Sequence, residues 1–305
     1  MMLFIQMASV GDIEDLKPCK KSEVVSISRR TDIPAFYMKS FVVHMIQGYI
    51  DVPNPRNPSQ VSRISLKPTE VKCMSWWSKN YGPWIKAYLK NKVLFDSYPS
   101  HIFNFTINSE SELETGVKIS VQERLAQLSF LVEHFGSESI KYRFDPITHY
   151  HRIGSKQIIN NLDQFEEIVS TISGMGVKQV IFAFAIPFPK SVRRMKERGK
   201  ILVTLTDSQK KIVLDELLEI ASKYGVTMAS CSNNSLVGYN NIVPSSCIDS
   251  QVIDSILKEK GLPCLKSKRK DSGQRDECNC VVSRDVGSYE QKCQHSCDYC
   301  YANPT

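Results

Sequence analysis

The chain of 305 residues lacks an apolar run long enough to cross a membrane. Its longest apolar stretch, residues 180–189, falls well short of the roughly 18 residues that a membrane-spanning helix needs. A secretory signal is not expected either, because no basic segment precedes the apolar first ten residues and acidic residues follow them at once. We therefore expect a cytoplasmic protein with no membrane partner.

A strong excess of charge is also missing. The net charge of +7 is only mildly basic, and a content of 42% hydrophobic and 23% charged residues is ordinary for a globular protein. A dedicated nucleic-acid binder carries a stronger bias, so the charge leaves open an anionic small substrate, a nucleic acid or mere solubility. The length fits one large domain, such as an α/β barrel, as easily as two smaller ones.

Alternation of strand and helix patterns is the main signal for the fold. Six strands are predicted at residues 24–28, 72–77, 102–107, 140–144, 177–186 and 226–231, with a further short strand at 61–66. Helices are predicted at residues 35–46, 83–92, 121–135, 162–175, 207–224 and 249–260. Strands that alternate with helices are mostly parallel. We predict a single (βα) barrel or partial barrel of roughly six parallel strands, with a doubly wound open sheet as the alternative.

The composition changes after Gly261, where periodicity fades and Lys, Arg, Asp, Ser and Cys become frequent. We therefore divide the chain into a barrel domain, residues 1–262, and a Cys-rich tail, residues 263–305, packed on the barrel mouth. The basic run K-S-K-R-K, residues 266–270, is either a solvated loop or a phosphate-binding patch.

Polar side chains follow the predicted strands, at the carboxyl ends where parallel α/β folds bind their ligands. Four cations suited to a carboxylate or phosphate stand there: Arg29, Arg30, Lys79 and Arg143. We assign Arg29 to cofactor binding, together with Asn104 at the third strand, and the other three to the catalytic rim. His149 and His151 are either rim residues or surface histidines.

Two carboxylates belong to the same predicted rim. Asp32 follows the first strand and Asp145 the fourth, and each either orients a cation or takes a proton. The alternative is structural: Arg29 with Asp32, or Arg143 with Asp145, would then be an ion pair that closes the top of the barrel.

Ten cysteines in a reducing compartment are not expected to form disulfides, so metal binding becomes the first question. The last segment reads C-Q-H-S-C-D-Y-C-Y-A-N, which places three thiols on a short loop at Cys293, Cys297 and Cys300. Clusters that only transfer electrons normally have four cysteine ligands, so three leave an iron open for chemistry. We predict a [4Fe–4S] cluster on these three residues. Structural zinc on the terminal cysteines with His295 is the alternative.

The same motif, with Tyr299 before its last cysteine, resembles the cluster motif of radical S-adenosylmethionine enzymes. Over nearly its full length the chain also resembles the domain-of-unknown-function family numbered 1848. The stretches that carry this resemblance are S-I-S-R-R-T-D-I-P-A-F-Y, W-W-S-K-N, R-F-D-P, C-I-D, C-N-C, D-V-G-S-Y and C-Q-H-S-C-D-Y-C-Y-A-N.

The radical-enzyme resemblance implies a cosubstrate and a reaction. S-adenosylmethionine would bind the open iron, and its reductive cleavage would give a 5′-deoxyadenosyl radical that takes a hydrogen atom from substrate. The Tyr299 backbone would lie near the adenine. In those enzymes the motif follows the first strand and a G-G-E-type stretch holds the methionine, whereas here the motif comes last and no such stretch is found. Either the barrel is circularly permuted or the loop reaches the same mouth from the other end.

Four other cysteines form a candidate second metal site for zinc or an auxiliary cluster: Cys231, Cys247, Cys278 and Cys280. The sequence alone does not place Cys231 near the others. We expect Cys19, Cys73 and Cys264 to be inert.

The leading hypothesis is a barrel enzyme with a [4Fe–4S] cluster and S-adenosylmethionine, acting on a small-molecule or nucleic-acid-derived anionic substrate and supplied by a reducing electron donor. The alternative is a non-enzymatic, metal-stabilised module that binds nucleic acid through residues 266–270 and the rim arginines. The sequence leaves the substrate and the oligomeric state open.

Overall fold

A computed structural model describes residues 18–302. The apolar start of the chain therefore lies outside the described residues. In the described part, no helix combines the length and the apolar character needed to cross a membrane.

In chain order, the strands are β1 (Val24–Ile27), β2 (Tyr49–Asn54), β3 (Asn57–Ser65), β4 (Cys73–Ser78), β5 (Ser100–Thr106), β6 (Ile140–Ile147), β7 (His149–Arg152), β8 (Ile159–Asn160), β9 (Gln179–Phe184), β10 (Lys200–Val203), β11 (Thr227–Ser230), β12 (Val243–Pro244) and β13 (Arg284–Asp285). The α-helices are α1 (Ile33–Phe36), α2 (Met38–Gln47), α3 (Gly82–Lys90), α4 (Lys92–Asp96), α5 (Val121–Phe135), α6 (Phe165–Gly174), α7 (Pro189–Glu197), α8 (Asp207–Lys223) and α9 (Ser250–Glu259).

An eight-stranded parallel sheet forms the centre of the fold, in the order β12-β11-β9-β6-β5-β4-β1-β13. From β1 to β12 each new parallel strand is added beside the previous one. Over these strands the order has no reversal, which disfavours the doubly wound alternative; β13 alone is added on the other side of β1. Strands β12 and β13 stand at opposite edges, and the pairing does not show a closed barrel.

Several elements depart from the prediction. The short strand expected at residues 61–66 is the end of β3, which pairs with the unpredicted β2 in an antiparallel hairpin. The helix expected at residues 35–46 is broken at Tyr37, whose φ of −126° is not helical. Helix α8 begins at Asp207, as predicted, and Thr206 caps it in a capping box with Gln209. Strands β7, β8 and β10 form a separate small sheet that the sequence did not predict.

The two faces of the parallel sheet differ in chemistry, because alternate residues of each strand point to opposite faces. The helix-covered face packs aromatic and branched residues such as Trp76, Phe103 and Phe144 against the helices. On the other face the strands carry small or polar buried residues: Ser26, Ser75, Asn104 and Arg143. That second face therefore needs a polar or charged partner wherever apolar residues do not cover it.

The Cys-rich tail covers part of the second face, which we call the tail-covered face. Ile253 and Leu257 of α9, with Leu265 and Val281 of the tail, share one buried cluster with strand residues that include Ile102. The tail then runs parallel to β1 as β13 and turns over the carboxyl edge of the sheet. This path brings the last cysteines to the strand ends.

Candidate metal centre

The loop of residues 293–300, here called the cysteine loop, lies against the carboxyl edge of the sheet. The Tyr37 hydroxyl donates to the Lys292 carbonyl at 2.7 Å, next to the first cysteine. The Asp298 amide donates to the Leu113 carbonyl at 2.8 Å. The loop is thus fastened to the segments that follow β1 and β5.

Gly116 packs directly against the backbone of the cysteine loop. Its amide donates to the His295 carbonyl at 3.0 Å. A Cβ atom at this position would lie 2.2 Å from the Gln294 carbonyl oxygen and 2.4 Å from that of His295. Only glycine allows the two backbones to meet at this distance.

Three cations from α7 and β10 hold the cysteine loop from the other side. Arg194 Nη1 donates to the carbonyls of Asp298 and Cys300 at 2.9 and 2.8 Å. Asp298 is fully buried and pairs with Arg198 and with Lys200, whose Nζ lies 3.0 Å from Oδ2. Protein cations therefore bind the carbonyls and the buried carboxylate of the loop, and Arg194 also lies within electrostatic reach of Cys297 and Cys300.

The three thiols of the loop are largely shielded from water. Cys297 is buried, while Cys293 and Cys300 are half-buried. Burial raises the pKa of Cys293 to about 12 and that of Cys297 well above its ordinary value. The charge of Cys300 raises the pKa of both further, which places all three sulfurs within electrostatic reach of one another. A buried thiol of this kind gives up its proton when its sulfur binds a metal ion, because the metal replaces the proton.

Asp32 links the edge of the sheet to the cysteine loop through hydrogen bonds. Its carboxylate caps α1 through the Ala35 amide, and it accepts bonds from the Ser78 hydroxyl and the Lys79 amide. His295 Nε2 lies 2.9 Å from Oδ2 of the same carboxylate. His295 is buried, so this contact joins the loop to β1 and β4. Asp32 forms no ion pair with Arg29, and that alternative is wrong.

A second polar group surrounds Tyr299. Its hydroxyl donates to Oε1 of the buried Glu114, which also accepts from Lys79 Nζ at 3.0 Å and from Asn108 Nδ2 at 2.7 Å. Burial alone raises the pKa of Glu114, but the charges of Lys79 and Arg124 outweigh this effect and lower it. Glu114 also lines a cavity of about 430 Å³ beside the start of α5.

The rim arginines are engaged with partners in the same chain. Arg143 is 5% exposed and pairs with Asp145, so the geometry favours the structural reading of this pair. The Arg29 guanidinium lies 3.5 Å from Asp271 Oδ2 and 5.6 Å above the Trp77 ring. Arg30 donates to the Gly287 carbonyl at 2.8 Å.

Asn104 lies on the tail-covered face and not at the open edge. It is 1% exposed and donates to Ser75 Oγ at 3.2 Å, while its Oδ1 is buried without a partner. His149 and His151 both belong to β7 rather than to a surface loop. His149 is buried and lines a cavity of about 130 Å³ at the ends of β6 and β9.

The four cysteines of the expected second site come together on the tail-covered face. Cys231 Sγ and Cys247 Sγ are 3.8 Å apart. Cys280 belongs to the same buried cluster as Cys247, and Cys278 packs against that cluster. Contact with Cys247 lowers the pKa of Cys231 to about 6. The spacing of the cysteines in the sequence did not predict that Cys231 lies beside Cys247. Cys231 lies there because it directly follows the end of β11.

The other three cysteines take no part in either group. Cys73 is fully buried in β4, and burial raises the pKa of its thiol to about 12. Cys19 is exposed and Cys264 is half-buried. Within residues 18–302, no three His, Cys, Asp or Glu side chains already stand in an arrangement that would hold a metal ion. The thiols are neighbours, and a bound metal would have to draw them closer.

Sequence reasoning missed the residues that support the cysteine loop. Arg194, Arg198 and Lys200 follow a predicted strand in the basic stretch K-S-V-R-R-M-K-E-R-G-K. That stretch, and the acidic Asp298 inside the cysteine motif, were signals of an ion-pair contact. Glu114 and Gly116 gave no such signal, because their role depends on the path of the loop after β5.

Comparison with protein families gives one match. The model described as "Domain of unknown function (DUF1848)" matches residues 24–302. No curated protein matches the chain.

Proposed function

Since the chain belongs to the DUF1848 family, a domain of unknown function, we propose its function from the site: an iron–sulfur enzyme of the radical S-adenosylmethionine type. The substrate is an anionic small molecule or a nucleic-acid-derived group, and a reducing protein supplies the electron. The observation that carries this proposal is the cysteine loop itself, three shielded thiols within eight residues, fastened over the carboxyl ends of parallel strands.

The side chains of the cysteine loop suit an iron–sulfur cluster. Soft thiolates are the ligands of iron–sulfur clusters, and the loop supplies three of them from eight consecutive residues, Cys293 to Cys300. Its inward carbonyls are taken by Arg194, and its one carboxylate, Asp298, by Arg198 and Lys200. These oxygen atoms already bind protein cations, so the cysteine sulfurs are the donors that we propose for the metal.

The residues of the site have separate tasks in this proposal. Cys293, Cys297 and Cys300 hold the cluster, which when bound supplies the electron for reductive cleavage of S-adenosylmethionine. Asp32 and His295 fix the loop to the sheet edge and exclude water from Cys297. Their role is positioning, since they act through the loop.

Two half-buried cations at the rim are the proposed contacts for an anionic substrate, Arg30 and Lys79. Arg143 is not included, because it is buried, with its guanidinium against Asp145 and the second cysteine set, whereas Arg30 and Lys79 keep part of their surface exposed. We take the sheet with its covering tail as a partial barrel whose carboxyl edge is the mouth.

The nucleic-acid-binding alternative is less well supported. Lys268 pairs with Asp254 at 2.6 Å, and Lys270 donates to the Asp276 carbonyl. The Lys266 amide donates to Glu23, which precedes β1 and so lies at the opposite end of that strand from Arg29. Two cations of the basic run are therefore engaged within the chain, and the run ends beside Arg29, whose guanidinium faces Asp271.

Cleavage of S-adenosylmethionine tests the proposal. Full-length protein, reconstituted with iron and sulfide without oxygen and then reduced, should form 5′-deoxyadenosine. Cys297→Ala should abolish this and lower iron content, whereas Cys19→Ser, which alters an exposed cysteine, should change neither. Zinc bound at the three thiols, with no cleavage product, would overturn the proposal.

A further inference from the structure

The second cysteine set consists of Cys231, Cys247, Cys278 and Cys280, which reach the same place from three parts of the chain. Cys231 follows β11, Cys247 precedes α9, and the C-x-C pair belongs to the tail. The Ser246 hydroxyl donates to the Asn279 carbonyl at 2.9 Å, so the backbones of the second and third segments are already joined. Convergence of four thiols from distant segments is typical of a structural metal site.

The sulfur spacing distinguishes between metals. A tetrahedron of sulfurs about 2.3 Å from a zinc ion has edges of about 3.8 Å. Cys231 Sγ and Cys247 Sγ are separated by 3.8 Å, and Cys280 belongs to the same buried cluster as Cys247, with Cys278 packed against that cluster. In a [4Fe–4S] cluster each thiolate caps a different iron, so the sulfurs must stand much further apart. The separation of the Cys231 and Cys247 sulfurs matches the small ion.

The surroundings carry the charge that such a site needs. Four thiolates and one zinc ion have a net charge of −2, which is costly to bury without cations. Arg143 contacts the sulfurs of both Cys231 and Cys247, and Arg29 lies within electrostatic reach of Cys280. The Ile248 amide also donates to Cys280 Sγ at 3.4 Å, as backbone amides do in sites with thiolate ligands. The thiols are therefore flanked by two guanidinium groups and an amide.

We propose that Cys231, Cys247, Cys278 and Cys280 bind one zinc ion, which fastens the Cys-rich tail to the tail-covered face of the sheet. The ion joins β11, the start of α9 and the tail, and so stabilises the segment that leads to the cysteine loop. The site does not depend on the proposed iron–sulfur cluster, since the two sets share no residue.

Metal analysis of a variant without the cysteine loop thiols isolates this site. In full-length protein with Cys293, Cys297 and Cys300 changed to serine, we expect one zinc per chain. A further Cys280→Ser change should remove most of it, whereas a further Cys264→Ser change should leave it bound. Cys278→His, which keeps a zinc ligand, should retain the metal.

Cobalt gives a second readout that does not rely on folding of the Cys280 variant. Co²⁺ added to the zinc-free triple variant should give the intense sulfur-to-metal charge-transfer and d–d bands of a tetrahedral four-thiolate site. Iron and sulfide bound in the triple variant, or a Cys231–Cys247 disulfide with no metal, would overturn the inference. Either result leaves the proposal for the cysteine loop to be judged by its own test.

Discussion

Gly116→Ala is the sharpest test of how the cysteine loop is held. The added methyl group would lie 2.2 Å from the Gln294 carbonyl oxygen and 2.5 Å from the His295 carbonyl carbon. Both are backbone atoms, which cannot turn aside as a flexible side chain can. The loop must therefore withdraw by about 1 Å before ordinary van der Waals contact is restored.

The energetic cost follows from two contributions. Overpacking against a fixed neighbour costs about 1–3 kcal/mol. Loss of the 3.0 Å bond from the Gly116 amide to His295 adds about 1 kcal/mol. We expect the free energy of unfolding to fall by roughly 2–4 kcal/mol. Because His295 lies between Cys293 and Cys297, the shift should also reduce iron uptake.

Two measurements check this prediction: denaturant unfolding, and iron content per chain after anaerobic reconstitution. Gly174→Ala is the matched control, because a Cβ atom there meets nothing within 4 Å. The control should change stability by less than about 1 kcal/mol and keep its iron. If Gly116→Ala matched the control in both measurements, the close contact between Gly116 and the loop would be refuted.

Asp298→Asn should cost roughly 3–5 kcal/mol of stability, because it leaves Lys200 buried without its carboxylate. Glu197→Gln, on an exposed helix pair, should cost less than about 0.5 kcal/mol in the same denaturant assay; equal losses would contradict the buried-pair argument. Burial lowers the pKa of His101 from 6.5 to about 4, so the unfolded chain takes up the proton first on acidification. The free energy of unfolding should therefore decrease from pH 6.5 to 4, by about 3 kcal/mol in total. His101→Gln should remove that part of the decrease, and an unchanged pH profile would contradict it.

Helix α5 shows why many elements could be predicted from the sequence. Its apolar residues recur along one face from Leu125 to Leu131, Ser120 and Glu123 form its capping box, and Gly136 ends it. All of these signals lie within the helix or beside it. Six of the eight parallel strands were found for the same reason, since each is a short, largely apolar run between turns, whereas β12 and β13 were not predicted.

The hairpin of β2 and β3 was missed because its signal is not local. Residues 57–61 of β3 are exposed, so this half of the strand does not show the alternation of apolar and polar residues that predicts a strand. Strands β7 and β10 were not predicted for a related reason. Their paired residues are more than forty positions apart in the sequence, and His149, for example, pairs with Val203. Pairing of this kind depends on the path of the chain between the strands.

The sequence by itself determined the ligand types of this protein: ten cysteines, with three of them in a C-x3-C-x2-C motif. It also determined that strands and helices alternate. Only the tertiary structure decided which thiols meet. Cys231 joins Cys247 because β11 ends beside the residues that precede α9, and Asp285 reaches Ser26 across 259 residues because β13 is added next to β1. Periodicity is read from neighbours along the chain, whereas a site is made by residues that packing alone brings together.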